Sequence, residues 1–317
     1  MKKNILIFNW NNVLTEVIQK LKGLGHNVYT RDEDTKHWKK MDVIVVWNEM
    51  RNNGWSDFIE KVQKGGKKVI LVQHGRYGTS RIHPPFNEKV LSDIVCVWGE
   101  NDKKRFMDCG TTEEKIRVVS SPILKHLIPR REHEGINVVF SPEHWDEEVV
   151  ENAIVAGQLR RIPKVKIITK CLSGEQQIGI YDNPIESKRT SPEHLKIVAE
   201  VLAIADVVVA ISESTFELLA ESLDIPVVIA EAWMPKSCGG DDRYLTYHRI
   251  TTEASYKVKD YNKIPEAVQY CLKHPEFLRE ERKRVSIGDG GKDVVNSVDN
   301  IVNVILDMWY NVVWWSL

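Results

Sequence analysis

The sequence predicts an α/β protein built from two open, mostly parallel sheets with helices between the strands. Short apolar, β-branched runs alternate with amphipathic stretches along the whole chain. Continuous apolar runs are typical of strands buried on both faces, and helices between such strands indicate parallel crossovers. The third observation is length: 317 residues are long for one domain, since domains usually run roughly 100 to 200 residues. Two cores are therefore expected.

In the first half the predicted elements follow in the order strand NILIFNW, helix VLTEVIQKLKGLG, strands NVYT and DVIVVWN, helix WSDFIEKVQKGG, strands KKVILVQHG and DIVCVWG, helix DKKRFMDCG and strand IRVVSSP. The pattern then pauses at LIPRREHEG, residues 127–135, a charged stretch with a proline and little periodicity. Such a stretch predicts a linker, so the first domain is expected to span residues 1–128.

The second half restarts with strand INVVFS, a helix over 146–160, strand VKIITK and a looser segment through GEQQIGIYDNPIESKRTS. A helix over 192–204, strand VVVAIS, a helix from Thr215 and strand PVVIAEA follow, then helical stretches near 265–274 and 275–284. This second domain is expected to span 136–290. A last helix, over about 292–310, is expected to lie in a C-terminal segment, 291–317.

Composition narrows the class of protein. Lys and Arg total 44 and Asp and Glu total 45, so a net charge of -1 argues against a protein that coats DNA. The five scattered cysteines form no C-x-x-C pair, which is typical of a reduced, cytoplasmic protein. No apolar run suits a signal peptide or a membrane span. The tryptophan-rich tail MWYNVVWWSL favours an aromatic plug on the protein body, with a peripheral membrane or partner contact as the alternative.

The most informative stretch is ADVVVAISESTFELLAESLDIPVVIAEAW. Its first strand leads directly into a helix, so the free N–H groups and the positive end of that helix face the carboxyl edge of the sheet, where ligands of open α/β sheets bind. An anion, above all a phosphate, suits that position. The alternative is plain capping, with Ser214 and Glu217 as a capping box. The predicted phosphate-binding residues here are Ser212, Glu213, Ser214, Thr215 and Glu217.

A second loop, VILVQHGRYGTSRIHPPF, follows another predicted strand. His74 could act as a general base or donate to a phosphate, and Gly75 would allow a ligand to approach the backbone closely. Arg76 and Arg81 would contact phosphate or carboxylate groups of the ligands, since arginine binds both groups bidentately. In the loop VWGENDKKRF, Glu100 or Asp102 is the rival base, and the alternative is that Asn101 or Asp102 caps the helix that follows.

A further loop, VVFSPEHWDEE, places Ser141, Glu143 and His144 after the first strand of the second domain. These three residues are predicted to bind the ligand. The alternative is that they only lead into a helix that starts near Asp146. No G-x-x-x-x-G-K-[ST], H-E-x-x-H or G-x-S-x-G motif occurs, which removes P-loop NTPases, zincins and serine α/β-hydrolases. No clear D-x-D triplet occurs either, which is consistent with chemistry that needs no metal ion, and no cofactor is expected.

The order of elements, the ISEST helix start and the closing GKDVVNSVDNIVNVIL together resemble the GT-B glycosyltransferases, and most closely their CDP-glycerol glycerophosphotransferase-like and UDP-N-acetylglucosamine 2-epimerase-like branches. The resemblance implies two Rossmann-like domains facing across a cleft, with the C-terminal helix crossing back to the first. It also implies that Ser212, Ser214 and Thr215 hold the donor diphosphate, and that His74 and Gly75 face the acceptor.

The resemblance departs from the family at one position. Many relatives carry a glutamate on the helix after the Ser-rich turn that grips the nucleotide ribose, and here the available acids are Glu217 and Glu221, at a different spacing from Pro226. The residue that binds the ribose therefore stays open.

The sequence thus predicts a metal-independent glycosyltransferase that uses a UDP- or CDP-linked donor. The acceptor hydroxyl is left open among a saccharide, a polyol phosphate of a cell-surface polymer and a hydroxymethylated base of viral DNA. The alternatives are an isomerase of the 2-epimerase type and a non-catalytic module that binds nucleotide-sugars.

Overall fold

The computed structural model describes residues 1–9, 12–30, 32–47, 54–76, 90–142, 149–172, 181–188, 193–211, 214–230 and 253–313. Within this part of the chain there are two sheets of six strands each, and every neighbouring pair of strands is parallel. Helices follow most of the strands. The prediction of two parallel α/β sheets is confirmed.

Two compact units divide the chain. The first contains Met1–Gly75, Arg81–Lys125 and Gly288–Leu317, and the second contains Arg76–Ser80 and His126–Ile287. The sheet of the first unit has the order β2-β1-β3-β4-β5-β6, and that of the second has the order β12-β11-β10-β7-β8-β9.

The first unit contains the strands β1 (Asn4–Ile7), β2 (Asn27–Tyr29), β3 (Val43–Val46), β4 (Lys68–Val72), β5 (Ile94–Val97) and β6 (Ile116–Val118), and the helices α1 (Thr15–Gly23), α2 (Trp55–Lys64) and α3 (Glu100–Asp108). Short 3-10 helices cover Asp32–Lys40 and Glu113–Lys115, and a third, Leu124–His126, spans the boundary between the units.

The second unit contains the strands β7 (Ile136–Ser141), β8 (Val165–Leu172), β9 (Pro184–Ser187), β10 (Val207–Ala210), β11 (Val227–Ala230) and β12 (Ser255–Val258), and the helices α4 (Val149–Leu159), α5 (His194–Ala203), α6 (Thr215–Ser222), α7 (Ile264–Lys273) and most of α8 (Arg279–Gly290). A 3-10 helix, Tyr261–Lys263, precedes α7, and the last helix, α9 (Ser297–Val313), belongs to the first unit.

The apolar pattern explains why these segments form central strands. All four residues of β3, VIVV, and of β10, VVVA, are buried, as expected of parallel strands covered on both faces. Helix α2 buries Ile59 and Val62, while Lys61 and Lys64 on its other face are exposed. The apolar periodicity of these segments therefore matches the residues that are buried between the sheet and the helices.

The sequence did not predict β9 and β12, and the structure shows why. Both strands lie at sheet edges and read PIES and SYKV, with only partial burial, so neither carries a continuous apolar run. The 3-10 helix Asp32–Lys40 was missed as well. Helix α9 begins at Ser297 rather than near 292, because residues 291–296 form a bend and a turn, in which the Asp293 N–H donates to the Ser120 hydroxyl.

A larger C-terminal segment, Gly288–Leu317, belongs to the first unit and is packed closely against the rest of it. The N–H of Ser121 donates to the carbonyl of Gly290 at 2.8 Å, and Lys20 of α1 pairs with Asp299 of α9. A Cβ on Gly99 would overlap the carbonyl group of Gly288, so the two backbones can approach each other only because Gly99 has no side chain.

The close approach at Gly99 gives a stability prediction. Replacing Gly99 by Ala forces the two backbones apart, and we expect the free energy of unfolding to fall by about 1 to 3 kcal/mol, as in other overpacked sites. The matched control is Gly157→Ala in α4, where an added Cβ meets nothing within 4 Å and should raise the unfolding free energy by about 0.5 to 1 kcal/mol. Denaturant unfolding measures both, and equal effects of the two changes would contradict the packing.

Candidate functional site

The start of α6 is fixed by its own side chains. Ser214 is the N-cap in extended conformation, and its Oγ accepts a hydrogen bond from the N–H of Phe216 at 3.2 Å. The Oε2 of Glu217 accepts from both the N–H and the hydroxyl of Ser214, each at 2.6 Å. The predicted capping box is confirmed, so the helix begins at one defined residue.

This helix start is located at the carboxyl edge of the second sheet. Strand β10 lies between β7 and β11, and Ser141, the last residue of β7, is paired with Ala210, the last residue of β10. Ser214 is exposed and Thr215 partly exposed. An exposed helix start at such an edge carries the positive end of the helix dipole, which favours an anion.

Arg76 is part of the same unit as α6. Its backbone N–H donates to the hydroxyl of Thr215 at 2.9 Å, and its guanidinium lies 3.3 Å from the carboxylate of Glu221, with both side chains fully buried. Glu221 also accepts from the hydroxyl of Ser255 at 3.4 Å. Arg76 therefore braces α6 from its first residue to its last turn, and its guanidinium is directed at a protein carboxylate.

His74 lies at the carboxyl edge of the first sheet, two residues after the end of β4. Its Nδ1 is 3.1 Å from the carbonyl oxygen of Trp47, which follows β3, and the two rings meet edge to face at 4.9 Å between centroids. A carbonyl oxygen only accepts, so Nδ1 carries the proton and Nε2 carries the lone pair of the neutral ring. The tautomer thus suits a general base that acts through Nε2.

A cluster of aromatic side chains lies beside His74. Phe8, which follows β1, packs edge to face on Trp55 at 4.6 Å, and Trp55 in turn contacts Trp47 at 6.2 Å. Sequence reasoning missed Trp47, although its place directly after the buried run VIVV is the same post-strand position that singled out His74. Trp47 thus joins the imidazole of His74 to this aromatic cluster.

Glu100 is the first residue of α3 and is exposed. The N-cap of this helix is Gly99, with no side-chain cap, so the alternative that Asn101 or Asp102 caps it is wrong. Asp102 is fully buried within α3. Of the two acids in this loop, Glu100 alone is exposed to solvent.

Several predicted site residues lie outside the described residues, together with the end of the tryptophan-rich tail. They are Arg81, Glu143, His144, Ser212 and Glu213. Within the described part of the chain, no group of three or more His, Cys, Asp or Glu side chains is gathered as a metal site would require. None of the described helices is both long enough and apolar enough to cross a membrane.

No protein-family model matches the sequence, and no curated protein matches it significantly. Solved structures do. Anabaena HepE in complex with UDP-glucose is 11% identical with a TM-score of 0.55, and the match covers 96% of this chain and 100% of that one. A variant of the wall teichoic acid polymerase TagF soaked with CDPG is 12% identical with a TM-score of 0.63, over 96% of this chain and 88% of that one.

A Listeria monocytogenes protein described as a putative UDP-N-acetylglucosamine 2-epimerase is 10% identical with a TM-score of 0.61, over 98% of this chain and 97% of that one. At such low identity, similarity over nearly the whole chain shows the fold. The chain therefore has the GT-B fold with two Rossmann-like units, as the resemblance of the sequence implied.

The buried pair of Arg76 and Glu221 gives a prediction that separates charge from packing. Arg76→Met leaves the Glu221 carboxylate buried without its cation, so we expect the free energy of unfolding to fall by about 3 to 5 kcal/mol. The backbone N–H that contacts Thr215 is unchanged. The double variant Arg76→Met, Glu221→Leu should recover most of that loss, because no charge is left buried. A double variant as unstable as the single one would contradict this role of the pair.

Proposed function

We propose that the protein is a glycosyltransferase that moves a sugar, or a polyol phosphate, from a nucleotide-activated donor to an acceptor hydroxyl. The observation that carries the proposal is the exposed, capped start of α6 at the carboxyl edge of β10. The GT-B fold supports it, and so do the neighbours HepE and TagF, whose structures hold UDP-glucose and CDPG.

In this proposal the second unit binds the donor. The positive end of α6, with the hydroxyl of Thr215, holds the phosphates, and Ser141 at the end of the neighbouring strand lies on the same edge. Positive potential from the helix stabilises the leaving phosphate as charge develops on it, which makes a metal ion unnecessary. The structures of the neighbours support a UDP- or CDP-linked donor.

Two acids of α6 bear on ribose binding. The carboxylate of Glu217 is engaged by Ser214, and that of Glu221 by Arg76 and Ser255. Both residues are almost fully buried, at 1% and 2% exposure. A role for either in ribose binding would need these contacts to be exchanged for the ligand, so we do not assign the ribose to them.

The acceptor hydroxyl is assigned to the first unit. Nε2 of His74 takes the hydroxyl proton while the acceptor oxygen forms its bond to the transferred group, and the bond from that group to the nucleotide phosphate breaks. The Trp47 carbonyl then stabilises the imidazolium, because Nδ1–H donates to it throughout. Glu100 remains a predicted rival base. The scattered cysteines support a reducing, cytoplasmic location.

Thr215 offers a test of the phosphate site that keeps the helix intact. In Thr215→Asp the carboxylate can accept the Arg76 N–H in place of the hydroxyl, and an acid in the first turn favours the helix. It also places a negative charge where the phosphates would bind, so we expect the affinity for UDP or CDP to fall more than about tenfold, or 1.4 kcal/mol. The control Thr215→Ser should bind within about twofold of wild type. Equal calorimetric affinities for all three proteins would refute the assignment.

Turnover of a labelled donor panel, UDP- and CDP-linked, with and without acceptors, separates the candidate functions. Transfer supports the proposal, interconversion of the free donor supports an isomerase, and binding alone supports a non-catalytic module. If transfer occurs, His74→Gln should lower kcat about 100- to 10,000-fold, as loss of a general base does, with nucleotide affinity unchanged. Unchanged kcat in His74→Gln, with loss in Glu100→Gln, would move the base to Glu100.

A further inference from the structure

Gln73 is the residue between β4 and His74, and its side chain is fully buried with both ends of the amide engaged. Nε2 donates to the carbonyl of Gly75 at 2.9 Å and to Oδ2 of Asp102 at 2.7 Å, while Oε1 accepts from the N–H of Trp98 at 2.6 Å. An amide flip would turn donors toward donors, so only one orientation is allowed. Gln73 therefore fixes the backbone at Gly75, the residue after His74.

Asp102 holds Gln73 in place. Its Oδ1 accepts from Nη1 of Arg105 at 2.6 Å and its Oδ2 from Gln73, so both oxygens are in use. Burial raises the pKa of Asp102 to about 6, the Arg105 charge opposes the rise, and the Asp289 charge adds to it. A raised pKa is frequent among catalytic acids, but this carboxylate is fully buried and touches only protein groups.

The C-terminal segment provides the last group. Asp289 is fully buried, and its Oδ1 accepts from Nδ2 of Asn101 at 2.8 Å and from Nη2 of Arg105 at 3.3 Å. The approach of Gly288 to Gly99 brings it there. Arg105 thus bridges two carboxylates, one on α3 and one at the end of α8, and all these groups belong to the first unit.

We propose that this chain of contacts is a relay by which the C-terminal segment sets the position of the His74–Gly75 backbone. The positioning residues, in order, are Asp289, Arg105, Asp102 and Gln73. This role rests on the proposed function for its catalytic meaning, because His74 is the base there. Two buried carboxylates on one guanidinium are costly to desolvate, and hydrophobic side chains of similar volume would fill the space with less penalty. The two carboxylates are present because the His74–Gly75 backbone has to keep one geometry.

The test uses the full chain with isotope-labelled histidine and follows the His74 ring by NMR. His74 is one of ten histidines, so its resonances are assigned by their absence in His74→Asn. In Asp102→Asn only one oxygen remains to accept, so either Gln73 or Arg105 loses its partner. We expect Asp102→Asn and Gln73→Met to convert the single Nδ1-protonated tautomer into a mixture, and to lower kcat more than about tenfold with UDP affinity within about twofold of wild type.

Two controls separate positioning from general destabilisation. Val62→Ala, in the buried face of α2, is chosen to lower stability without touching the relay, and it should leave the His74 tautomer and kcat unchanged. Asp289→Asn keeps an oxygen that can accept from both Asn101 and Arg105 and should retain most activity, whereas Asp289→Leu should behave like Asp102→Asn.

The outcomes also separate this inference from the proposed function. An unchanged His74 spectrum in both Gln73→Met and Asp102→Asn would overturn the relay, whatever the activity. A wild-type protein that transfers nothing in the donor panel would overturn the proposed function instead, while a shifted tautomer in the relay variants would still support the relay. Equal spectral changes in Val62→Ala would likewise overturn it, because the effect would then be one of stability.

Discussion

The capping box at Ser214 is the interaction on which the proposed donor site depends. A helix start can bind a phosphate only if its first N–H groups point at a constant place, and here the reciprocal bonds between Ser214 and Glu217 fix the first turn. Arg76 adds a second restraint, because its N–H holds Thr215 and its guanidinium holds Glu221 in the last turn. In the sequence, Glu217 and Glu221 look available to bind a ligand. In the structure, both are engaged in contacts that hold α6 in place.

In the first unit, too, charged side chains hold other groups in place. Asp102 has the raised pKa that often marks a catalytic acid, yet its burial and its contacts with Gln73 and Arg105 assign it to the support of the loop. His74, by contrast, is partly exposed, and its tautomer is set by the Trp47 carbonyl. Exposure and hydrogen-bond partners, more than pKa, separate the two roles.

How well the sequence predicted each feature depends on how far apart along the chain the interacting residues lie. Central strands such as β3 and β10 are predictable because burial on both faces requires a continuous apolar run, whereas the edge strands β9 and β12 need none. The capping box is a local pattern of Ser and Glu three residues apart. The pairs of Arg76 with Glu221 and of Arg105 with Asp289 join distant parts of the chain, so no local pattern in the sequence predicts them. The glycine-dense SIGDGGKD likewise has no pattern that predicts a buried carboxylate, yet it contains Asp289, which is buried in the first unit.

The most direct test of the central claim is an NMR titration of the backbone amides of α6 with UDP, CDP and inorganic phosphate. The account predicts that the amides of Thr215, Phe216 and Glu217 shift first and saturate with all three compounds, most tightly with the nucleotides, because the phosphate is the shared group. Saturable shifts confined to other parts of the chain, with the α6 amides unmoved, would contradict it.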